Sequence, residues 1–160
     1  MEKKYIQIPV DVLSGIEELD VEEQNLVNAA IAAAGNAYSP YSGFSVGAVA
    51  LLQNGAVVSG NNQENAAYPS GMCAERVALY WAGANYPDIP VSCLVIVAVK
   101  NGHLTNDVVS PCGACRQVFS ETEQRYRKGF KLILVGKSQV LRFANGADLL
   151  PLSFGPAQLK

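Results

Sequence analysis

The stretch that decides the fold is Cys93-Leu94-Val95-Ile96-Val97-Ala98-Val99, the longest uninterrupted apolar run in the chain. Its length and its β-branched residues are those of a β-strand. A strand that is apolar on both faces is typical of a sheet covered by helices on both sides. The sequence around it should therefore supply those helices and the neighbouring strands.

Helical patterns are found on both sides of this strand. Apolar residues recur at helical spacing after Cys73, so we expect a helix to begin near that residue. Pro111 opens another helix, which runs to about Tyr126 and which Gly129 ends. These two helices flank the apolar strand in the chain.

An earlier helix carries a start signal of its own. Asp20 is followed three residues later by Glu23, the pattern of a capping box, and apolar residues then recur at helical spacing. This pattern predicts a helix from about Val21 to Tyr38.

Four more segments have strand character. Residues 46–52 and 56–59 are predicted to form a hairpin on a type I′ turn at Asn54-Gly55, and 131–135 and 139–143 follow the last helix. The order helix, hairpin, helix, strand, helix, strand, strand predicts an α/β domain with one mixed five-stranded sheet flanked by helices.

The segment before these elements has a weaker pattern. Alternation over residues 5–10 suggests a short edge strand, since Pro9 removes a backbone donor that a central strand needs. We therefore expect residues 1–20 to be an N-terminal extension and residues 21–160 to form the functional domain.

Composition limits the class of protein. The 160 residues suit one domain, and hydrophobic residues make up 49% of them, which excludes disorder. Charged residues make up only 16%, against about 25% in typical domains, which favours an oligomer. The net charge of -2 disfavours a nucleic-acid partner. Because no apolar run approaches the length of a membrane helix or a signal peptide, we expect no membrane partner and a cytoplasmic location.

Cysteines at two predicted helix starts indicate a metal site. They lie in Cys73-Ala74-Glu75-Arg76 and Pro111-Cys112-Gly113-Ala114-Cys115. A helix N-terminus favours thiolate, the form that binds zinc, and the spacing of Cys112 and Cys115 puts both sulfurs on one helical face. Three protein ligands leave one position for water, as in catalytic zinc sites, and Glu75 could handle the protons of that water.

Two other interpretations of these cysteines remain open. A Cys-x-x-Cys pair can be a redox pair, and Cys93 or His103 could complete a closed structural zinc site. A redox pair leaves the Cys73-Ala74-Glu75 segment without a purpose, and a closed site needs no carboxylate beside it. Cys93 lies in the apolar strand and His103 follows a turn, so both are more simply explained by their local structure.

The two cysteine segments match the signature of zinc nucleobase deaminases, a Cys-x-Glu segment followed by Pro-Cys-x-x-Cys. More narrowly, the chain resembles the small, homotetrameric cytidine deaminases whose zinc ligands are all cysteines. Further segments carry this resemblance in the family's order: Ala37-Tyr38-Ser39-Pro40-Tyr41-Ser42, Phe44-Ser45-Val46-Gly47-Ala48, Asn62-Gln63-Glu64-Asn65-Ala66, Ser110-Pro111-Cys112-Gly113-Ala114-Cys115-Arg116-Gln117 and Leu149-Leu150-Pro151-Leu152-Ser153-Phe154-Gly155-Pro156. Residues 1–20 have no counterpart in the family, and Gln63 replaces its usual aliphatic residue.

The resemblance implies a three-layer fold of the cytidine deaminase type and a set of residue roles. One Zn²⁺ per chain is held by Cys73, Cys112 and Cys115, and Glu75 moves protons between water, ring N3 and the leaving amino group. Arg76 is not a zinc ligand but lies next to the ligands and offsets the negative charge of the thiolates. Substrate contacts implied by the resemblance are Asn62 and Glu64 at the 3′-hydroxyl of the ribose, Phe44 against the base, Ala74, the carbonyl of Ser110 at the amino group, and Tyr68 and Phe154 from neighbouring subunits.

The leading functional interpretation is hydrolytic deamination of cytidine and 2′-deoxycytidine to the uridine nucleosides in pyrimidine salvage. A deaminase of a cytosine-nucleoside antibiotic such as blasticidin S is the nearest alternative. A polynucleotide deaminase is opposed by the acidic composition. A non-catalytic zinc-stabilised binding module would leave Glu75 unexplained. Glu64 and the absence of a phosphate-binding loop predict that nucleosides are preferred over their 5′-phosphates.

Overall fold

The computed structural model describes residues 1–159, which form one mixed sheet with helices on both faces. The strands are β1 (Asp11–Leu13), β2 (Phe44–Leu52), β3 (Val57–Asn61), β4 (Val91–Lys100), β5 (His103–Leu104), β6 (Lys131–Val135) and β7 (Val140–Phe143). The helices are α1 (Val21–Ala34), α2 (Ala74–Asn85) and α3 (Gly113–Tyr126). Single 3₁₀ turns cover Ile16–Glu18, Tyr68–Ser70, Gly146–Leu149 and Pro156–Leu159.

The apolar run that decides the fold lies in β4, at the middle of the sheet. The strand order is β1-β7-β6-β4-β2-β3, with β5 paired to β4. β4 runs parallel to β6 and antiparallel to β2, which makes the sheet mixed as predicted. The sheet has seven strands rather than the predicted five, because β1 adds to the edge at β7 and β5 is a two-residue strand that folds back on β4.

The two faces of β4 contact different helices. Leu94 and Ile96 pack in the apolar cluster that includes α2 and α3. Val95 and Val97 pack in the cluster that includes α1. The fold therefore has three layers, because successive residues of a strand point to opposite faces.

Two glycines allow the helices to approach the β2–β3 hairpin closely. A Cβ atom on Gly47 would overlap the carbonyl oxygen of Ala30 in α1. On the other face, a Cβ atom on Gly60 would meet the backbone of Ala74 and Ala78 in α2. Larger residues would push the helices away, so these glycines set the spacing of the layers.

The start of α1 agrees with its sequence signal, but its end does not. Asp20 accepts a hydrogen bond from the Glu23 N–H at 2.8 Å, and the Glu23 side chain accepts one from the Asp20 N–H, which completes the capping box. The helix ends at Ala34 rather than at Tyr38. Tyr38 instead forms a bridge with Gln63, so tertiary pairing replaces the last predicted turn.

The turn between β2 and β3 is not of type I′, so the predicted turn type is wrong. That turn needs positive φ at both central residues, but in the pair Asn54-Gly55 only Gly55 has it, at 84°. The Gly55 N–H donates to the Leu52 carbonyl, as in a three-residue hairpin loop. Positive φ at two successive residues occurs instead at Asn101 and Gly102, between β4 and β5.

The position of the first strand and the residue that ends α3 also differ from the predictions. The first strand lies at Asp11–Leu13, not over residues 5–10, and it pairs with β7 at the edge of the sheet. α3 ends at Tyr126 because Arg127, and not Gly129, adopts the left-handed conformation at the helix end.

Over residues 1–159, every helix is too short or too polar to cross a membrane.

Candidate metal centre and substrate cavity

The starts of α2 and α3 bring three thiols together. Cys73 is the N-cap of α2, Cys112 is the N-cap of α3, and Cys115 lies in the first turn of α3. Their sulfur atoms all lie within 4.8 Å of one another. The Sγ atoms of Cys73 and Cys112 are 3.8 Å apart, and those of Cys112 and Cys115 are 3.5 Å apart. The contact across 39 residues of sequence forms because both helices pack on one face of the sheet.

These distances and the chemistry of the donors fit a tetrahedral metal ion. With zinc–sulfur bonds of about 2.3 Å, tetrahedral geometry places the sulfurs about 3.8 Å apart. The helix N-termini direct free N–H groups and a positive dipole toward the cluster, which favours the thiolate form. The three cysteines therefore form a metal site with soft ligands.

Hydrogen bonds, burial and a nearby cation shift the pKa values of two of the three thiols. A hydrogen bond from Cys115 and the nearby Arg76 guanidinium lower the pKa of Cys73 to about 5. The pKa of Cys115 is raised, because its proton is held in the bond to Cys73 and because the thiol is buried. Arg76 Nη2 lies 3.5 Å from Cys73 Sγ, which places the predicted compensating charge beside the ligands.

No fourth protein ligand joins the three cysteines within residues 1–159. Cys93 is in β4 and packs in the cluster against α1, on the other face of the sheet. Burial there raises the pKa of the Cys93 thiol to about 12, as expected for a core residue. His103 is exposed on β5. Within the part of the chain described, neither Cys93 nor His103 completes a closed structural site with the three cysteines.

Glu75 is buried beside the three thiols. It is the second residue of α2, and only 5% of its surface is exposed. Burial raises the pKa of its carboxyl group above the ordinary value for glutamate. No ion pair involving Glu75 is present among residues 1–159. Burial thus favours the protonated form of this carboxyl group.

A cavity of about 420 Å³ opens beside the thiols. Its lining includes Arg76, which balances the thiolate charge in the resemblance, and five residues that the resemblance assigns to the substrate. These five are Asn62, Glu64, Tyr68, Ala74 and Ser110. It also includes Cys73, Cys112 and Glu75. The volume suits a ligand of nucleoside size.

Asn62 and Glu64 reach this cavity from the segment after β3. The Asn62 side chain accepts from the Val46 N–H at 2.7 Å and donates to the Phe44 carbonyl at 2.9 Å. The Glu64 carboxylate accepts from the N–H groups of Tyr41 and Ser42, at 2.9 and 3.3 Å, and from the Ser42 hydroxyl. The Asn62 side chain is thus held by the first residues of β2, and the Glu64 side chain by the turn that precedes β2.

The three predicted aromatic contacts have different positions. Tyr68 lines the cavity of its own chain and is highly exposed, in edge contact with Tyr41 at 6.4 Å between ring centroids. Phe44 begins β2 and does not line the cavity. Phe154 is 58% exposed and also lies outside it, with its carbonyl accepting from Gln117 Nε2 at 2.8 Å.

Sequence reasoning missed two residues that hold the site together. Ser42 belongs to a segment that carries the family resemblance, but no local signal assigned it a contact with Glu64. Arg116 donates to the carbonyls of Pro111 at 2.9 Å and Leu149 at 3.3 Å, which ties the start of α3 to the C-terminal segment. Spacing along the chain reveals neither the contact of Ser42 with Glu64 nor that of Arg116 with Leu149, since these partners are 22 and 33 residues apart.

Comparison with known proteins gives a consistent result. The family model described as the cytidine and deoxycytidylate deaminase zinc-binding region matches residues 20–127. Cytidine deaminase from Halalkalibacterium halodurans is 43% identical over 134 residues, 84% of this chain and 95% of that protein. Cytidine deaminase from Mycobacterium tuberculosis is 38% identical over 139 residues, 85% and 92% of the two chains.

Solved structures agree with the sequence relatives. The crystal structure of cytidine deaminase from Burkholderia pseudomallei superimposes with a TM-score of 0.70 at 35% identity and covers 85% of this chain and all of that one. The crystal structure of cytidine deaminase from Mycobacterium tuberculosis gives a TM-score of 0.61 at 35% identity, covering 85% and 99%. The unmatched part of this chain is small.

Proposed function

The chain belongs to the cytidine and deoxycytidylate deaminase family, and we propose that it hydrolyses cytidine and 2′-deoxycytidine to uridine and 2′-deoxyuridine with release of ammonia. One observation carries the proposal: a cluster of three thiols at two helix starts lies beside a buried Glu75, and Cys73, Cys112 and Glu75 line one cavity of nucleoside size. This combination suits hydrolysis at an amino-substituted ring carbon. The reaction returns cytosine nucleosides to the uridine pool in pyrimidine salvage.

Cys73, Cys112 and Cys115 would hold one Zn²⁺ per chain. Zinc with three protein ligands supplies an activated water for attack on C4 of the pyrimidine. Arg76 lies against Cys73 and balances the negative charge of the thiolates. The family description names zinc, and the all-sulfur donor set suits that ion.

Glu75 acts as the proton carrier of the reaction. Its carboxyl group takes a proton from water and delivers it to ring N3, and then takes the proton of the hydroxyl added at C4 and delivers it to the leaving amino group. The Ala74 backbone and the Ser110 carbonyl line the cavity next to Glu75 and orient the base, with the Ser110 carbonyl accepting from the amino group. Phe44 packs against the base in the complete assembly.

Asn62 and Glu64 recognise the ribose at the other end of the cavity. An amide and a carboxylate suit a sugar hydroxyl, which both donates and accepts a hydrogen bond. The Glu64 carboxylate also repels a 5′-phosphate, so the enzyme should prefer nucleosides to nucleotides.

The active form is proposed to be a cytoplasmic homotetramer with sites shared between subunits. Charged residues make up only 16% of the chain, and large apolar side chains remain on the surface of the single chain. Tyr68 and Phe154 are among these exposed side chains, so both are available to a neighbouring subunit. Phe154 would enter a neighbour's base pocket, since it lies outside the cavity of its own chain.

The proposed reaction is tested by following ammonia release from cytidine, deoxycytidine, CMP, cytosine, adenosine and blasticidin S. We expect turnover of the first two and much lower catalytic efficiency on CMP. Turnover of blasticidin S alone would assign the antibiotic as substrate, and no turnover of any compound by zinc-loaded protein would favour a binding module. X-ray absorption should show three sulfurs and one lighter atom around zinc, whereas four sulfurs would contradict the open site.

The shared site is tested by mixing two variants. Phe154→Ala should weaken substrate binding although it leaves the residues of its own cavity unchanged. Reassembly of Phe154→Ala with Glu75→Gln should give sites in which one subunit supplies Phe154 and another supplies Glu75, and so recover activity. A fully active 17 kDa particle in light scattering at high dilution would refute the shared tetramer.

A further inference from the structure

We propose that Ser42 is a positioning residue that fixes the Glu64 carboxylate for recognition of one sugar hydroxyl. The inference deepens the proposed function and rests on it, because it concerns how the sugar end of the same cavity is built. Ser42 lies in the exposed turn before β2, 22 residues away from Glu64 in the chain. It does not line the cavity, so it acts through Glu64.

The hydroxyl of Ser42 has a fixed direction. It accepts a hydrogen bond from the Phe44 N–H at 3.0 Å, so its own proton is directed away from Phe44. That proton is donated to Glu64 Oε1. The N–H groups of Tyr41 and Ser42 both donate to the other oxygen, Oε2. Three donors from one turn therefore hold both oxygens of the carboxylate.

The hydrogen bonds that remain available match a single hydroxyl group. A carboxylate has about four acceptor positions, and three donors leave one position, on Oε1 of Glu64. The Asn62 amide uses one of its two N–H groups on the Phe44 carbonyl, which leaves one donor. One donor and one acceptor side by side suit a hydroxyl, since a hydroxyl accepts and donates once.

The backbone that carries these two side chains is already held in place. The Tyr38 N–H donates to the Asn62 carbonyl at 3.0 Å, and the Glu64 N–H donates to the Tyr38 carbonyl at 2.8 Å. Gln63 exchanges two backbone bonds of 2.9 Å with Met72. The freedom left in this segment is the side-chain rotation of Glu64, which the two N–H groups restrict at Oε2 and the Ser42 hydroxyl restricts at Oε1.

The same donors keep the carboxylate charged. Hydrogen bonds from the Ser42 hydroxyl and the Tyr41 N–H hold the pKa of Glu64 below its ordinary value. A charged carboxylate accepts a stronger hydrogen bond from a hydroxyl than a neutral carboxyl does. Positioning and ionisation thus favour the same contact with the sugar.

The test compares Ser42→Ala with the parent enzyme on cytidine and on 3′-deoxycytidine, which lacks the hydroxyl that the resemblance assigns to this pair. Loss of a hydrogen bond to a charged group should raise KM for cytidine about tenfold and change kcat less than about twofold. On 3′-deoxycytidine the ratio of the two KM values should lie near one. Turnover of cytidine by the parent enzyme tests the proposed function separately.

Two further variants separate positioning from stability of the turn. Ser42→Thr keeps the hydroxyl and should restore KM to within about threefold of the parent value. Ser39→Ala removes a hydroxyl from the same turn that contacts Ser45 at 3.1 Å and not Glu64, so it should leave both constants unchanged. All variants are compared at matched zinc content and by thermal unfolding.

Three results would overturn the inference. An unchanged KM for cytidine in Ser42→Ala would remove the role altogether. Equal rises of KM on cytidine and 3′-deoxycytidine would show a general effect on the turn. A loss confined to kcat would place Ser42 in the chemical step rather than in recognition of the sugar. If the parent enzyme does not deaminate cytidine, the proposed function fails first.

Discussion

Glu23 and Glu75 both lie in the first turn of a helix, and both are almost fully buried, with 2% and 5% of their surfaces exposed. Their surroundings differ. Glu23 Oε1 lies 2.6 Å from Lys131 Nζ, and its Oε2 lies 3.4 Å from Arg142 Nη1. Glu75 has no cation partner within the described chain and faces the thiols and the cavity.

The difference separates a buried carboxylate that is held in ion pairs from one that has no ion pair among the described residues. Glu23 completes the capping box of α1, and its two cations belong to β6 and β7, so it joins helix to sheet. Arg142 also pairs with Asp11 at 3.1 Å, which extends the link to β1. Glu75 has no such ion pair within residues 1–159, and burial raises the pKa of its carboxyl group despite the nearby charge of Arg76.

The largest expected effect is on Glu75. Glu75→Gln keeps the volume of the side chain but cannot carry protons, so kcat should fall by about 10²–10⁴-fold. The midpoint of thermal unfolding should stay the same or rise, because an uncompensated buried carboxyl is removed. Ammonia release, zinc content and thermal unfolding measure these effects. More than a tenth of the parent activity would exclude Glu75 as the proton carrier.

The opposite pattern is expected for Glu23. Glu23→Gln removes the charge that pairs with Lys131 and Arg142, and should lower the free energy of unfolding by about 2 kcal/mol. The kcat of the folded fraction should change less than about twofold. Urea unfolding provides the measurement, and the exposed neighbour Glu22, changed to Gln, is the matched control. A loss of kcat comparable to that of Glu75→Gln would break the distinction between the two residues.

The pH dependence of stability sharpens the comparison. The hydrogen bond to Glu23 raises the pKa of Lys131 above its ordinary value of 10.5. Because the folded-state pKa is the higher one, the contribution of the pair is complete below the unfolded-state pKa of about 10.4 and is lost as the pH rises through the folded-state value. Unfolding curves in the alkaline range should show this loss in the parent chain. The loss should be smaller in Glu23→Gln, and equal loss in both would place its cause elsewhere.

The smallest effect is expected at a third carboxylate, Glu123. It accepts from the N–H groups of Phe130 and Ala147, both at 3.2 Å, and partial burial raises its pKa. Because its folded-state pKa is the higher one, its ionisation costs stability as the pH rises through that value. Glu123→Gln retains an acceptor and should stabilise the protein at pH 7 by less than about 1 kcal/mol. This gain should vanish near pH 4, and a loss at pH 7 would show that the charge itself holds the two N–H groups.

Sequence patterns predicted the elements around the site well, where the signal is local. The capping box at Asp20 and the strand Lys131–Val135 agree with the structure, because each depends on residues within one element. The turn at Asn54-Gly55 does not agree, although its dipeptide is the same as at Asn101-Gly102. The difference arises because the length of a hairpin loop depends on the register of both strands, which the dipeptide alone does not specify.

In the candidate site, too, the features within one element are predictable from the sequence and the contacts between elements are not. The ligand types and the spacing of Cys112 and Cys115 predicted a metal cluster, since residues three apart share one face of a helix. That Cys73 joins them depends on the packing of α2 beside α3. The contact of Ser42 with Glu64 is likewise set by the pairing of the chain around Tyr38, which has no marker in the sequence.

The sequence by itself determined the three helices, the strands β2, β3, β4, β6 and β7, the three thiols of the metal site, and the family to which the chain belongs. Local spacing and the chemistry of single side chains suffice for these. Only the tertiary structure decided which buried glutamate is neutralised, because the partners Lys131 and Arg142 lie 108 and 119 residues beyond Glu23. Coulomb energy depends on distance and on burial in the folded chain, and neither quantity can be read from separation along the sequence.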